Sequence, residues 1–432
     1  MNAMNEMTSR RQFMKAAAAA GLAASLPRIA ASDPVGGVLP AWKPGELELH
    51  FIYTGCGENC FYRLPDGTSM LNDTGDFYRP SDVADIPLLP SDERLGGEWT
   101  SRYIARVYPE KTIDYLLFSH WHTDHIGSAD IGQKTSPGGG WRFRTFADGT
   151  RGNGFRCVAE DFSFRRYLDH QYPEWGTYKT HDKMSVELVR PWLEAERKKG
   201  LVAEPFKVGA LDQIALARNP EKFKGVFSVR NLCANGRIWD GADGVRDCAA
   251  EHVKATGQDK ISQNLLSSAF VMRYGKFAYY GGGDVSGRLR RADGTEFDYE
   301  AEVGRLAGPV SVCKTNHHGY RDAMSEGFVR AVRAKAYVSC VWSPGHMNTA
   351  TMERMASREL HGGFTPVVVP SLVPKSRVQR YAGRPFMETV PAETHTGVHV
   401  VVKVDPGGDS WRIYLVDARD ESMRVMRVIE GA

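Results

Sequence analysis

A chain of 432 residues exceeds one typical domain, yet a decorated α/β enzyme reaches that length as a single unit. Its 55 basic residues against 52 acidic ones leave a formal charge of +3, so the balance calls for no polyanion-binding surface. Nucleic acid stays open as a partner only through a local basic patch, and seven cysteines, an odd set, leave at least one thiol free or paired outside the chain.

The first 32 residues read as an address. Ser9-Arg10-Arg11-Gln12-Phe13-Met14-Lys15 is a twin-arginine pattern, followed by a small apolar run from Ala16 to Leu26 and by Ala30-Ala31-Ser32. The run has about half of the roughly twenty residues that span a bilayer and is broken by Pro27 and Arg28, so no stable membrane span is expected there or later. The twin-arginine translocase is then the expected partner during export, and the periplasm or the medium the expected location. An oxidising compartment permits disulfides: Cys56 with Cys60, and Cys233 with Cys248, are close enough in sequence to consider, whereas Cys313 and Cys340 read as buried small hydrophobes.

A linker over 33–45 leads to an alternating strand from Leu47 to Tyr53. Phe61 to Leu64 and Thr68 to Leu71 flank Pro65-Asp66-Gly67 as a hairpin, which ends in Asn72-Asp73-Thr74-Gly75-Asp76. Trp99 to Val107 reads as a helix, and the apolar run Ile113 to Phe118 as a strand. From about 138 to 257 the chain looks inserted: it opens on Pro137-Gly138-Gly139-Gly140, carries a charged helix near Val186 to Lys199, and shows no clear strand-helix alternation. Val226 to Leu232 reads as a strand returning to the core. From Ser267 the alternation resumes, with strands at Ala269 to Arg273, Phe277 to Tyr280, Val310 to Lys314 and Ala336 to Val341, and a helix around Met324 to Ala334. The extension over 351–432 reads as mainly β, and its last sixty residues or so, with Val398 to Val404, Trp411 to Val416 and Met423 to Val428, as an antiparallel meander.

The strand ending at Phe118 runs directly into Ser119-His120-Trp121-His122-Thr123-Asp124-His125. Neutral imidazoles and a carboxylate suit zinc, manganese or iron, and His-x-His places both rings on one side of an extended chain. With thirteen histidines in the whole chain, three within six residues is a concentration that a solvated loop does not call for.

At these residues the chain resembles the metallo-β-lactamase-fold hydrolase superfamily, whose His-x-His-x-Asp-His signature is matched at every defined position. The resemblance implies an α/β fold, an αββα sandwich over 46–350 carrying the insertion and followed by a mainly β C-terminal extension. Three later signals follow predicted strands: Gly283-Asp284, His317-His318-Gly319 and Gly345-His346. With Asn264-x-x-Ser267 before Tyr274-Gly275, they resemble the branch containing the hydrolase domain of competence-type DNA-uptake proteins. The resemblance implies two divalent metal ions as cofactors, zinc foremost, with manganese and iron as alternatives. His120 and His122 would hold the first, Asp124, His125 and His346 the second, and Asp284 would bridge them. Asp124 counts also among the catalytic groups, and His317 or His318 stands where a general acid or an oxyanion donor is useful. Asp73 supports the metal loop by hydrogen bonds or forms a plain Asx turn.

One departure is visible. Many members supply a further histidine to the first metal before the Gly-Asp; His170, His181 and His252 fall in that interval but read as surface or loop residues, leaving Asn264 or one of His317 and His318 as the replacement. The function implied is an exported hydrolase that uses a metal-bridged hydroxide on an ester, phosphoester, lactone or amide, a small molecule or a phosphoester being the substrate. An iron-dependent oxidoreductase on the same scaffold and a non-catalytic metal-binding protein are the competing classes. Replacing both Arg10 and Arg11 by Lys is expected to strand the precursor in the cytoplasm, because the receptor reads a guanidinium pair and not charge alone. Normal periplasmic yield of that double variant on cell fractionation contradicts a twin-arginine signal.

Overall fold

Alternation along the strands sets the layers. In β1 (Leu47–Phe51), Leu47, Leu49 and Phe51 enter one apolar core while Glu48 and His50 face the other way, yet all five residues are buried. Both faces of this sheet are therefore covered, and the polar side chains on the second face are paired. His50 Nε2 lies 3.1 Å from Glu48 Oε2, its Nδ1 lies 3.0 Å from the Tyr103 hydroxyl, and Lys403 Nζ sits 2.6 Å from Glu48 Oε1.

The computed structural model describes residues 34–132, 141–178 and 182–431; the twin-arginine segment, His181 and the run at 137–140 lie outside them. After β1 come β2 (Asn59–Arg63), β3 (Ser69–Thr74), α1 (Gly96–Val107), β4 (Thr112–Phe118) and the single turn α2 (Thr123–Ile126). A small hairpin, β5 (Arg144–Thr145) and β6 (Arg151–Gly152), precedes α3 (Phe155–Asp161), β7 (Ser163–Asp169), α4 (Lys183–Lys198) and β8 (Val202–Pro205). The second half holds β9 (Phe227–Ala234), β10 (Arg237–Trp239), β11 (Val245–Asp247), α5 (Cys248–Thr256), β12 (Ala269–Tyr274) and β13 (Phe277–Gly282). A second hairpin, β14 (Arg288–Arg290) and β15 (Glu296–Asp298), leads to α6 (Tyr299–Ala307), β16 (Val312–Lys314), α7 (Glu326–Val332) and β17 (Ala336–Ser339). Then follow α8 (Thr349–Met355), β18 (Val367–Pro370), α9 (Lys375–Tyr381), β19 (Val398–Val404), β20 (Trp411–Asp417) and β21 (Val425–Glu430).

These strands build two large sheets, ordered β21-β20-β19-β1-β2-β3-β4-β7-β8 and β11-β10-β9-β12-β13-β16-β17-β18. Apolar side chains from both, among them Phe51, Tyr62, Phe270, Tyr279, Val338 and Val400, form the core between the sheets. The outer face of the first sheet packs with α1, α3 and α4, and that of the second with α6, α7 and α8. The result is the αββα sandwich that the resemblance implied. Val35–Ala432 make one compact unit, and the segments read as insertion and extension supply strands to the sheets rather than lying apart from them. Within 138–257, β7, α4 and β8 form a β-α-β unit in which both strands extend the sheet in parallel. Its alternation is hidden in the sequence because β7 reads as SFRRYLD, where two adjacent exposed arginines break the period of two. All seven cysteines are free and buried, so neither Cys56 with Cys60 nor Cys233 with Cys248 is bridged; the thiols that approach are Cys60 and Cys340, with Sγ atoms 3.9 Å apart.

Parallel pairing decides where chemistry collects. β3 runs parallel to β4 and β4 to β7, while β13, β16 and β17 run parallel to one another. In such sheets the loops after the carboxyl ends of the strands form the ligand-binding crevice.

His399, on β19, is buried and accepts the Tyr53 backbone N–H at Nδ1 over 3.1 Å. Burial holds its pKa down to about 3, so the folded state binds fewer protons than the unfolded chain below the ordinary histidine value near 6.5. Its contribution is complete at neutral pH and is lost as pH falls through 6.5 toward 3, amounting to about 2 kcal/mol between pH 7 and pH 5. Urea unfolding at those two pH values is expected to show this loss, and His399→Gln to show less of it.

Candidate metal centre

Six loops bring the candidate residues together, five of them following parallel strands. Asp73 closes β3, His120 to His125 follow β4, Asp284 follows β13, His317 and His318 form a 3-10 turn after β16, and His346 follows β17. The sixth is the loop before β2, which carries Glu58. The α2 turn is clamped from below by backbone hydrogen bonds: Glu58 N donates to Asp124 O over 2.8 Å and Asp76 N to Thr123 O over 3.2 Å. Gly75 is required there, because a Cβ would stand 1.7 Å from the Asp124 carbonyl oxygen. Four non-glycine residues at the site, Asp73, His317, His318 and Met347, hold positive φ angles of 60°, 45°, 51° and 52°. Such backbone is costly and persists where surrounding contacts impose it.

The His-x-His pair converges, with His120 Nε2 and His122 Nδ1 3.0 Å apart. Asp124, His125, His318 and Asp284 close a second group. His318 Nε2 lies 3.1 Å from Asp124 Oδ2, 3.2 Å from His125 Nε2 and 3.5 Å from Asp284 Oδ2, and His125 Nε2 lies 3.2 Å from Asp284 Oδ2. Asp284 Oδ2 also stands 3.9 Å from His120 Nε2, between the two groups. Asp73 makes the bonds that a supporting carboxylate makes: it accepts from Ser119 N over 2.7 Å and from Ser119 Oγ over 2.6 Å, and its Oδ2 lies 2.9 Å from His125 Nδ1. That contact turns His125 Nε2 toward the cluster.

The remaining expected residues stand around this group. His346 stacks on His318, ring centroids 4.6 Å apart and planes 14° from parallel, and contributes no atom to the closest set of donors. His317 stands at the half-buried rim with Nδ1 2.7 Å from Asp322 Oδ1 and Nε2 3.8 Å from Asp284 Oδ2. The Asn264 side-chain amide stands 3.1 Å from His317 Nε2. His170, read as a surface or loop residue, follows β7 but is buried; its Nε2 pairs with Gln263 Oε1 over 3.0 Å, and burial pulls its pKa down to about 3. His252 lies on α5, with Nδ1 accepting from Arg290 N.

Two groups escaped the sequence reading. Glu58 and Lys314, both fully buried, form an ion pair of 2.7 Å, and Lys314 Nζ also donates to the carbonyls of Gly282 and Gly283 over 2.8 and 3.0 Å. A lysine at the inner end of the apolar strand VSVCK was the available signal, since such a residue needs a buried acceptor.

The donor set fits a divalent cation. Glu58, His125, Asp284 and His318 each offer one ligand atom, all within 4.8 Å of one another and all buried, and Asp284 Oδ1 has no hydrogen-bond partner. Imidazole nitrogens facing each other at 3.0 to 3.2 Å repel unless a proton or a cation lies between them. The electrostatics agree: burial opposes charge on His318, but the Asp284 and Asp124 carboxylates outweigh it and push its pKa up to about 9. His125 is likewise held well above its ordinary value by Asp284 and Asp124 despite burial, whereas burial and the neighbouring imidazoles keep His120 well below it. The centre calls for positive charge.

Two family models match parts of the chain. Residues 7–27 match the family model of the TAT (twin-arginine translocation) pathway signal sequence, and residues 53–195 that of the metallo-beta-lactamase superfamily. Among solved structures the chain is similar to a diphosphatase from the PhnP family, at 12% identity over 68% of this chain and 85% of that one, with a TM-score of 0.26. It is also similar to zinc-bound PqqB from Methylobacterium extorquens, at 10% identity over 75% of this chain and 88% of that one, with a TM-score of 0.32. No curated protein matches it.

Asp73→Asn keeps a side chain that tolerates positive φ but removes the charge behind His125. Metal affinity is expected to fall about 10- to 100-fold, read by competition with a chromogenic chelator, with the circular dichroism spectrum unchanged.

Proposed function

Because residues 53–195 match the metallo-beta-lactamase superfamily model, we propose that the protein is a metal-dependent hydrolase with a dinuclear centre, acting on an ester, phosphoester, lactone or amide. It carries a TAT signal sequence, which implies export by the twin-arginine translocase, and it is periplasmic or secreted. Among the described residues no helix is long and apolar enough to cross a membrane. The observation that carries the reading is the buried set Glu58, His125, Asp284 and His318 beside the His120 and His122 pair, with Asp284 reaching toward both.

His120 and His122 would hold one ion and Asp124, His125 and His318 the other, with Asp284 available to both. Zinc suits this mixture of imidazole and carboxylate donors. A divalent cation there supplies Lewis acidity to the bond being cut and acidifies a water molecule. The protein's own groups do the rest. Asp73 orients His125, His346 braces His318 by stacking, and Lys314 keeps Glu58 in place. His317 stands at the open side with Asp322 behind its Nδ1, so the imidazolium is stabilised and Nε2 can pass a proton to the leaving group.

Metal content and turnover measured together test the reading, on a panel of phosphoesters, carboxylic esters, lactones and amides. Asp284→Ala is expected to lose metal and all turnover. His317→Ala is expected to keep its metal and lose about 10²- to 10⁴-fold in rate, the span of a general acid. Full activity in a folded Asp284→Ala protein rejects the dinuclear mechanism, and loss of metal from the His317 variant makes that residue a ligand.

A further inference from the structure

Beside the metal centre, three separated stretches of chain bring aromatic rings together in a row. Trp342 Nε1 donates to His318 Nε2 over 3.3 Å, and its ring stands edge-on to His346 at 5.0 Å. Phe77 packs edge-on to Trp342 at 5.3 Å and to Trp141 at 4.9 Å, and Trp141 lies parallel to Phe143 at 6.2 Å. All four rings are half-buried, and none belongs to the three apolar cores. Their packing leaves apolar faces in water next to the site, which the fold does not need for its own stability.

A charge accompanies the rings. The Arg79 guanidinium carbon lies 4.8 Å from the Phe77 ring centre and 5.5 Å from that of Trp342. Its one ion-pair contact among the described residues is Asp82 Oδ2 at 3.9 Å, and the side chain is 46% exposed. A guanidinium laid on rings keeps its in-plane N–H groups free for a carboxylate or phosphate. The loop that presents it is held, since Phe77 N donates to Cys56 O and the adjacent Asp76 carboxylate accepts from Gly97 N over 3.0 Å.

We propose that Phe77, Trp342, Trp141 and Arg79 form a substrate subsite for a planar aromatic group bearing an anionic substituent. The proposal rests on the hydrolase reading and narrows its substrate class. The scissile bond lies at Asp284 and His318, the planar group extends outward over Trp342 and Phe77, and the anion pairs with Arg79. Aromatic faces supply the apolar contact of such a pocket, and the single charge sets orientation.

The test is a tryptophan-fluorescence titration of the metal-loaded protein with 2-naphthoate and with its neutral counterpart 2-naphthalenemethanol, in wild type, Arg79→Gln and Phe77→Leu, each checked by circular dichroism. The wild type is expected to bind 2-naphthoate more tightly than the alcohol. Arg79→Gln is expected to weaken 2-naphthoate by about ten-fold or more and leave the alcohol unchanged, while Phe77→Leu weakens both. No binding of 2-naphthoate, or equal affinity in wild type and Arg79→Gln, as when the carboxylate sits on the metal instead, overturns the proposal. Turnover on the ester panel separates the two readings. Tight, Arg79-dependent binding without any hydrolysis upholds the subsite and rejects the hydrolase, whereas hydrolysis with no preference for aryl over alkyl substrates rejects the subsite alone.

Discussion

The buried ion pair between Glu58 and Lys314 ties the two halves of the site into one object. Glu58 precedes a strand of the first sheet and Lys314 ends a strand of the second, so their 2.7 Å contact crosses the sandwich directly beneath the candidate ligands. Each partner holds a further piece. Glu58 N binds the Asp124 carbonyl and so fixes the turn that bears Asp124 and His125, while Lys314 Nζ gathers the carbonyls of Gly282 and Gly283 and so fixes the approach to Asp284. Burial pushes the Glu58 carboxyl up, and the charge of Lys314 works against that; for Lys314, burial alone would lower the pKa, but Glu58 and Asp284 hold it above its ordinary value. Removing one member of such a pair leaves an uncompensated charge in the interior, which typically costs about 3–5 kcal/mol. The pair thus helps to hold ligands drawn from opposite sheets at their distances.

Above that pair the chain accepts several local costs together. Positive φ at Asp73, His317, His318 and Met347, facing imidazole nitrogens, and an unpartnered carboxylate oxygen on Asp284 all fall within the same rim. In the framework several buried polar groups are paired: Glu48 with His50 and Lys403, His399 with the Tyr53 amide, Glu300 with Asn316. Positive φ on the loops that carry the candidate ligands, together with facing imidazoles and an orphaned carboxylate oxygen, is the pattern of a site built to bind something.

The half-exposed rings around Trp342 extend that site outward. They come from loops after β3, before β5 and after β17, so they are assembled by the same strand ends that assemble the ligands. The candidate metal centre and the aromatic row beside it then share one scaffold, as expected when function is carried by loops on a rigid sheet.

Local sequence was enough for the features that depend on neighbours along the chain. The alternating runs at 47–51, 269–274 and 398–404 became strands because period-2 apolar patterns bury one face, and His-x-His-x-Asp-His, Gly-Asp and His-His-Gly were visible because each follows such a strand. Their convergence also followed, given parallel pairing and the superfamily resemblance. The strands of 163–205 were not legible, because exposed arginines mask their period, and neither was the burial of His170, which depends on Gln263 far along the chain. Pairings between distant residues carry no local signature: Glu58 with Lys314, His346 on His318, the free state of Cys56 and Cys60, and the meeting of Phe77, Trp141 and Trp342 are outcomes of how the two sheets pack. Composition and spacing determined which chemical groups stand at strand ends; the tertiary structure alone decided which of them face each other, because distances across a sandwich are set by core packing and not by separation along the chain.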